Sequence, residues 1–385
     1  MTVRTYLDHN ATSPLRPEAR ERMIAALELG GNASSIHAEG RAARHAIEDA
    51  RESLAALIGV PAGSIVFTSG GTEANAMALS PAWLASAVPA RLFVSAVEHA
   101  SVLRGGRFGA GAVEILPVDA DGVVSLDGAR HAFQAQAALG APFLASVMLA
   151  NNETGAVQPV AALAKLAHGN GGLVHCDAAQ AAGKIPVDAA ALGADLLTVS
   201  AHKFGGPQGV GALAVLRDGL PVAALIAGGG QERGYRAGTE DVAAIAGLGA
   251  AAAVVAGADG DRHKIAALRD DLEEQIAAIS PEAIFFSRQT VRLPNTSCFA
   301  VPGMAAATLV IAMDMHGIAV SAGSACSSGK VERSHVLDAM GVAPELGAAA
   351  IRVSLGWNTT EADIERFAAA WAAIYGIFAA RRRAA

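Results

Sequence analysis

Aromatic side chains make up only 4% of this 385-residue chain, so its core has to be closed by alanine, valine, leucine and close backbone contact rather than by rings. Lysine is scarcer still. Among the 29 basic residues only Lys165, Lys184, Lys203, Lys264 and Lys330 are lysines, which makes the surroundings of each one informative. Cys176, Cys298 and Cys326 are widely spaced and form no CxxC pair, an arrangement that argues against both a disulfide framework and a zinc site and suits a reducing compartment. Positive charge is not in excess: the formal net charge is -7, so no global field draws the chain onto nucleic acid or anionic lipid. The closing "RRR" at 381–383 reads as a solvated tail. The N-terminal "MTVRTYLDHNATSP" lacks an apolar signal core. The longest uncharged stretch, "VAAIAGLGAAAAVVAGA" at 242–258, is so rich in Ala and Gly that a buried helix is expected rather than a membrane span. Cytoplasm is the expected location, with no nucleic-acid or membrane partner.

What is abundant points to an α/β enzyme. Hydrophobic residues reach 52% and glycines number 42, and the length allows two or three domains. The apolar segments "SIVFTS", "RLFVSAV", "FLASVMLA", "GLVHCDAA" and "DLLTVSA" alternate with Ala-rich helical stretches up to about residue 205. Such alternation predicts βαβ units around a mostly parallel central sheet, whose ligands gather at the carboxyl ends of the strands. After "AGADGD", the stretch "RHKIAALRDDLEEQIAAIS" places Ile265, Leu268, Leu272 and Ile276 at helical spacing. The segments "NTSCFAV", "GIAVSAG" and "AIRVSLG" then predict short strands of a smaller α/β domain, which the extended N-terminal segment can join. The expected division is a large domain over 16–257 and a small one from 1–15 and 258–385.

Three places carry chemistry. In "TSGGTEANAMAL" a strand ends, two glycines follow, and Thr72 opens a helix with Glu73 in its first turn. Free N–H groups there form an anion seat, and phosphate is the natural occupant; the plainer alternative is a Thr-capped helix with Glu73 complementing its dipole. In "LVHCDAAQ" a buried strand ends in Asp177, with Gln180 close behind. A carboxylate there needs a cation or donors, supplied either by a structural ion pair or by a protonated heterocycle. One predicted strand later come Ser200, His202 and Lys203, and a lysine desolvated at a sheet edge can form a Schiff base.

The ordered motifs "YLDHNAT", "GNASSIH", "TSGGTEANA", "VEHASV", "NNETGAVQPV", "HCDAAQAAGKIPVD", "SAHKFGGPQGVGAL", "GGGQERGYRAGTED", "SAGSACSSGK" and "IRVSLG" resemble those of cysteine desulfurases, fold-type I pyridoxal-phosphate (PLP) enzymes of the class V aminotransferase group. The resemblance spans nearly the whole chain. It implies that Lys203 anchors PLP covalently and later shuttles a proton, that Asp177 pairs with the pyridinium nitrogen, and that Gln180 bonds the ring oxygen. It further implies that His99 stacks on the ring and moves protons. Gly71, Thr72, Ser200 and His202 would hold the phosphate, and Thr239 would reach the phosphate of the other subunit of a homodimer. Asn152 and Arg352 match the residues that receive the substrate carboxylate, for which a planar guanidinium is apt.

The resemblance also makes Cys326 the nucleophile toward the sulfur of L-cysteine, leaving a persulfide and releasing alanine, while Cys176 and Cys298 are expected as buried thiols in strands. No metal takes part in that reaction; Cys326 is at most a transient ligand for an iron–sulfur cluster. The run "ACSSGKVERSHVL" resembles the branch with a longer catalytic loop, which can hand sulfur to an acceptor protein, expected to be an iron–sulfur scaffold. Ala33 and Arg333 depart from the prolines common in the family, and the tail after "FAAAWAAIYGIFAARRRAA" is shorter than that of housekeeping relatives. Competing readings are a selenocysteine lyase, an aminotransferase on the same scaffold, and a non-catalytic partner-binding homologue.

Overall fold

The computed structural model describes residues 4–84, 90–221, 224–323 and 333–384. A two-residue strand, β1 (Thr5–Tyr6), precedes the seven strands of the central sheet: β2 (Ile65–Thr68), β3 (Arg91–Ser95), β4 (Val113–Leu116), β5 (Phe143–Met148), β6 (Leu173–Asp177), β7 (Leu196–Ser200) and β8 (Gly211–Val215). They lie in the order β2-β8-β7-β6-β5-β3-β4. Neighbours from β7 through β6, β5 and β3 to β4 run parallel, whereas β8 is antiparallel to both β2 and β7. The five apolar runs are strands, as expected. The pattern missed β4, an edge strand that exposes Glu114 and Ile115, and β8, whose "GALAV" is as rich in small residues as the helices.

Packing around this sheet answers the shortage of rings. The few phenylalanines are concentrated: Phe93, Phe133 and Phe143 meet with centroids 4.8–5.4 Å apart. Elsewhere small residues let helices close in. Helix Val242–Ala256, the apolar run that reads as buried, presses on helix Ala38–Ile58 so tightly that a Cβ on Gly249 would lie 2.4 Å from the Ala50 Cα. Among the described residues no single helix is long and apolar enough to cross a membrane.

The remaining strands are β9 (Ile284–Phe285), β10 (Thr296–Ala300), β11 (Ile318–Ala319), β12 (Ser321–Ala322) and β13 (Ala350–Ser354). A second, antiparallel sheet has the order β12-β13-β10-β9, and β1 pairs with β11 in parallel. Helix Asp259–Ile279 buries Leu268, Leu272 and Ile276 in a core shared with Leu7, Phe299, Phe367 and Trp371. From there the N-terminal segment crosses to the main sheet: Asp8 bridges Ser354, and the backbone N–H groups of Ser13 and Arg16 donate to the carbonyls of His202 and Gly205. This crossing places residues 8–13 beside the carboxyl ends of β6 and β7.

Candidate active site

A cavity of about 460 Å³ opens at those strand ends, and Gly71, Thr72, His99, Asn152, Asp177, Gln180, Ser200, His202 and Lys203 all line it. One wall is the start of helix Gly71–Ala78, whose N-cap is Gly70 at φ 151° with no side-chain cap. Its first N–H groups are therefore left to the cavity, and the Thr-capped alternative is set aside. A Cβ on Gly71 would sit 3.2 Å from the Ser200 Cβ, so only glycine leaves the floor open. Glu73, which also lines the cavity, is held by partners: it accepts from the Ser69 N–H at 2.8 Å and pairs with Arg236 at 3.0 Å. Burial pushes its carboxyl up, but these partners outweigh burial and hold it below the usual range.

Asp177, 6% exposed, is compensated by two donors. Its Oδ2 accepts from Asn75 Nδ2 at 2.8 Å and its Oδ1 from the Ala179 N–H at 2.9 Å. Two residues earlier on β6, His175 is wedged between Ser146 Oγ and Thr198 Oγ1, and burial pushes its ring down to about 4, with Asp177 opposing. His99 shares the 2.8 Å contact of its Nδ1 with Ser101 Oγ and caps the short helix Ala100–Leu103. Burial lowers its pKa, Asp177 pulls the other way, and Lys203 and His335 reinforce burial. His202, touching Thr12 Oγ1 at 3.1 Å, is pushed down to about 4 by burial and then by Lys203 and Lys184. Burial thus favours the neutral imidazole at both cavity histidines. Lys203 Nζ donates to the carbonyls of Asn10 and Ala11, each at 2.9 Å.

Not every expected residue reaches this cavity. Arg352, 1% exposed, stands behind Asn152, donating to its carbonyl at 2.9 Å and to Asp8 Oδ1 at 2.8 Å, while its Nε has no hydrogen-bond partner. Thr239 is exposed and lines a neighbouring depression with Ser69, Gly209 and Arg236. Cys326 lies outside the described residues, as does Lys330. Cys176 and Cys298 are fully buried, and burial raises both thiols. Ala33 is buried, its carbonyl accepting from Arg44; Arg333 is exposed and paired with Asp338 at 2.6 Å. Sequence reading missed Asn75, Asn10 and Lys184. Asn10 is a hub: its carbonyl accepts from Gln180 Nε2 and Lys203 Nζ, and its Oδ1 from Lys184 Nζ and Asn295 Nδ2. The available signal was the scarcity of lysine, which singles out Lys184 as much as Lys203.

These groups fit PLP. An uncapped helix start suits a dianionic phosphate, a carboxylate with only neutral donors suits a protonated pyridine, and an amine at the opposite side suits a carbonyl carbon. The class that fold and cavity define is thus that of the fold-type I PLP enzymes. Within it the chain belongs to the aminotransferase class-V family, which it matches over residues 5–367. It is 46% identical over 369 residues to a cysteine desulfurase of Cereibacter sphaeroides, covering 94% of this chain and 93% of the relative. Similarity extends to the cysteine desulfurase IscS of Dictyoglomus turgidum, at 41% over 94% of this chain and 92% of that one. Among solved structures, a NifS-like protein from Rickettsia africae superposes with a TM-score of 0.87 at 34% identity, covering 97% of this chain and all of the other.

Proposed function

We propose that the chain is a PLP-dependent cysteine desulfurase that converts L-cysteine to L-alanine and hands the sulfur on as a persulfide for iron–sulfur or related cofactor assembly. The observation that carries the reading is the meeting of Asp177 and Lys203 in one cavity, in a chain related to desulfurases over nearly its full length. When bound, the pyridoxal ring supplies an electron sink for the bonds at the cysteine Cα and Cβ.

The chain's own residues do the rest. Lys203 would tether the cofactor and move the substrate Cα proton; the carbonyls of Asn10 and Ala11 give its amine a resting place. Asp177, hydrogen-bonded by Asn75 and Ala179, would pair with the ring nitrogen. The uncapped N–H groups after Gly70, with Thr72, Ser200 and His202, bind the phosphate, and Thr239 serves the neighbouring subunit of a homodimer. His99 accepts and returns a proton at the cavity wall. Asn152 and Arg352 would receive the substrate carboxylate, Asn152 from the cavity wall and Arg352 from behind it, where it pairs with Asp8. The Cys326 thiolate attacks the substrate sulfur: the Sγ–S bond forms, the substrate Cβ–S bond breaks, its electron pair is taken up and protonated, and alanine leaves. L-cysteine and a thiol thus become alanine and a persulfide with no further oxidant. The division into 16–257 and 1–15 with 258–385 is supported by the separate core around Trp371. We place the enzyme in the cytoplasm, with a sulfur-acceptor protein as partner.

In the decisive experiment, Cys326→Ala keeps the cofactor absorbance but forms neither persulfide nor alanine from L-cysteine. Undiminished alanine release by that variant would overturn the reading.

A further inference from the structure

Lys184 is part-buried four residues beyond Gln180 and lines a small crevice that Lys203 also lines. Its Nζ donates to Gln180 Oε1 and, at 2.7 Å, to Asn10 Oδ1. The other half of the same amide, Gln180 Nε2, donates to the Asn10 carbonyl at 2.9 Å. An amide has a donor end and an acceptor end, and here each faces its opposite. Flipping it would set NH₂ against an amine and C=O against C=O in a place water barely enters, Gln180 being 6% exposed.

We propose that Lys184 is a positioning residue: it locks the Gln180 amide so that the cavity meets an N–H donor and never the carbonyl, which commits this wall to an oxygen acceptor on the cofactor ring. Gln180 Nε2 has two hydrogens, one taken by Asn10 and one left for the cavity it lines. Burial, with Lys203 and Arg352 nearby, lowers the Lys184 amine well below its ordinary range; uncharged, its two N–H bonds serve Gln180 Oε1 and Asn10 Oδ1, and because its lone pair could accept from a flipped amide, the opposed Asn10 carbonyl completes the lock. Because the Asn10 carbonyl also takes Lys203 Nζ, the orientation of Gln180 and the resting place of Lys203 depend on one group. The inference rests on the PLP reading above.

The test is a double-mutant cycle on the holoenzyme, with Lys184→Met, Gln180→Ala and both together, read as the pH midpoint of the bound cofactor's visible absorption band. In the native background Lys184→Met should displace the midpoint by about half a pH unit or more, roughly threefold in the ionisation equilibrium. In the Gln180→Ala background the same change should move it by less than a third as much. Equal displacement in both backgrounds, or none in either, overturns the proposal. Should Lys184→Met fail to fold, Lys184→Leu, which likewise removes the N–H donors, replaces it in the cycle; failure of both to fold makes the residue structural and likewise overturns the proposal. A wild-type chain that takes up no PLP overturns the parent reading instead.

Discussion

Asp177 ends a strand in a nearly water-free corner, and two hydrogen-bond donors meet its carboxylate there. Of the two donors, the Ala179 N–H comes from the next turn of chain, whereas Asn75 reaches in from a helix 102 positions earlier. Asn75→Ala should leave the fold intact but remove one charge-assisted hydrogen bond, weakening PLP binding by about tenfold, or ~1.4 kcal/mol. Equilibrium dialysis of the two proteins checks this, and equal affinities would count against a role for Asn75. Local reading could find Asp177, since a carboxylate closing an apolar run is conspicuous. It could not find Asn75, because an amide inside a helix has no sequence pattern that says what it faces.

At the scale of elements, helix Ala38–Ile58 does more than cover the sheet. Its Arg51 grips Glu232 through both guanidinium nitrogens, at 2.8 and 2.9 Å, and the same carboxylate accepts from the Phe67 N–H of β2. Glu232 and Arg233 are held at φ 44° and 57°, a left-handed backbone that side chains seldom adopt. The ion pair therefore fixes the segment leading to Thr239, and both partners are nearly sealed, at 3% and 1% side-chain exposure. Arg51→Ala strands a buried carboxylate and should cost roughly 3–5 kcal/mol in urea unfolding. Arg51→Lys should recover only part, because an ammonium cannot replace the two-pronged grip. A loss under about 1 kcal/mol for the alanine variant would contradict this account.

For the whole molecule, buried titratable groups set opposing pH slopes. His9, His175 and His202 are pushed down to about 3, 4 and 4 chiefly by burial, from an ordinary 6.5. Between pH 6.5 and 4 the unfolded chain binds protons there that the fold refuses, so stability is lost as pH falls. Glu98 and Glu153 are raised by burial to about 8 and 7, from an ordinary 4.5. The fold keeps protons on them that the unfolded chain releases, so they cost stability as pH rises from 4.5 to 8. Three histidines against two carboxyls leave a net rise up to about pH 6.5; above it the carboxyls are opposed by Lys184, whose lowered amine refuses a proton that the unfolded chain binds. Melting temperature should therefore rise from pH 4.5 to about 6.5. Glu98→Gln, which keeps an acceptor for Ser95 and the Met148 N–H, should steepen that rise by removing one opposing proton; a variant curve parallel to the native one excludes the explanation.

By itself the sequence determined what depends on neighbours along the chain. Continuous apolar runs gave buried parallel strands, glycines opened a helix start, and a scarce lysine after "DLLTVS" marked a strand-end loop. These follow from periodicity and backbone sterics, which act over a few residues. Tertiary structure alone decided which polar atoms meet: Asn10 with Gln180, Lys184 and Lys203 across 170 to 193 positions, Asn75 with Asp177, and Arg352 with Asp8. The physical reason is that such bonds form only once two sheets and the crossing N-terminal segment have packed, bringing donors within about 3 Å of acceptors that nothing nearby in the sequence specifies.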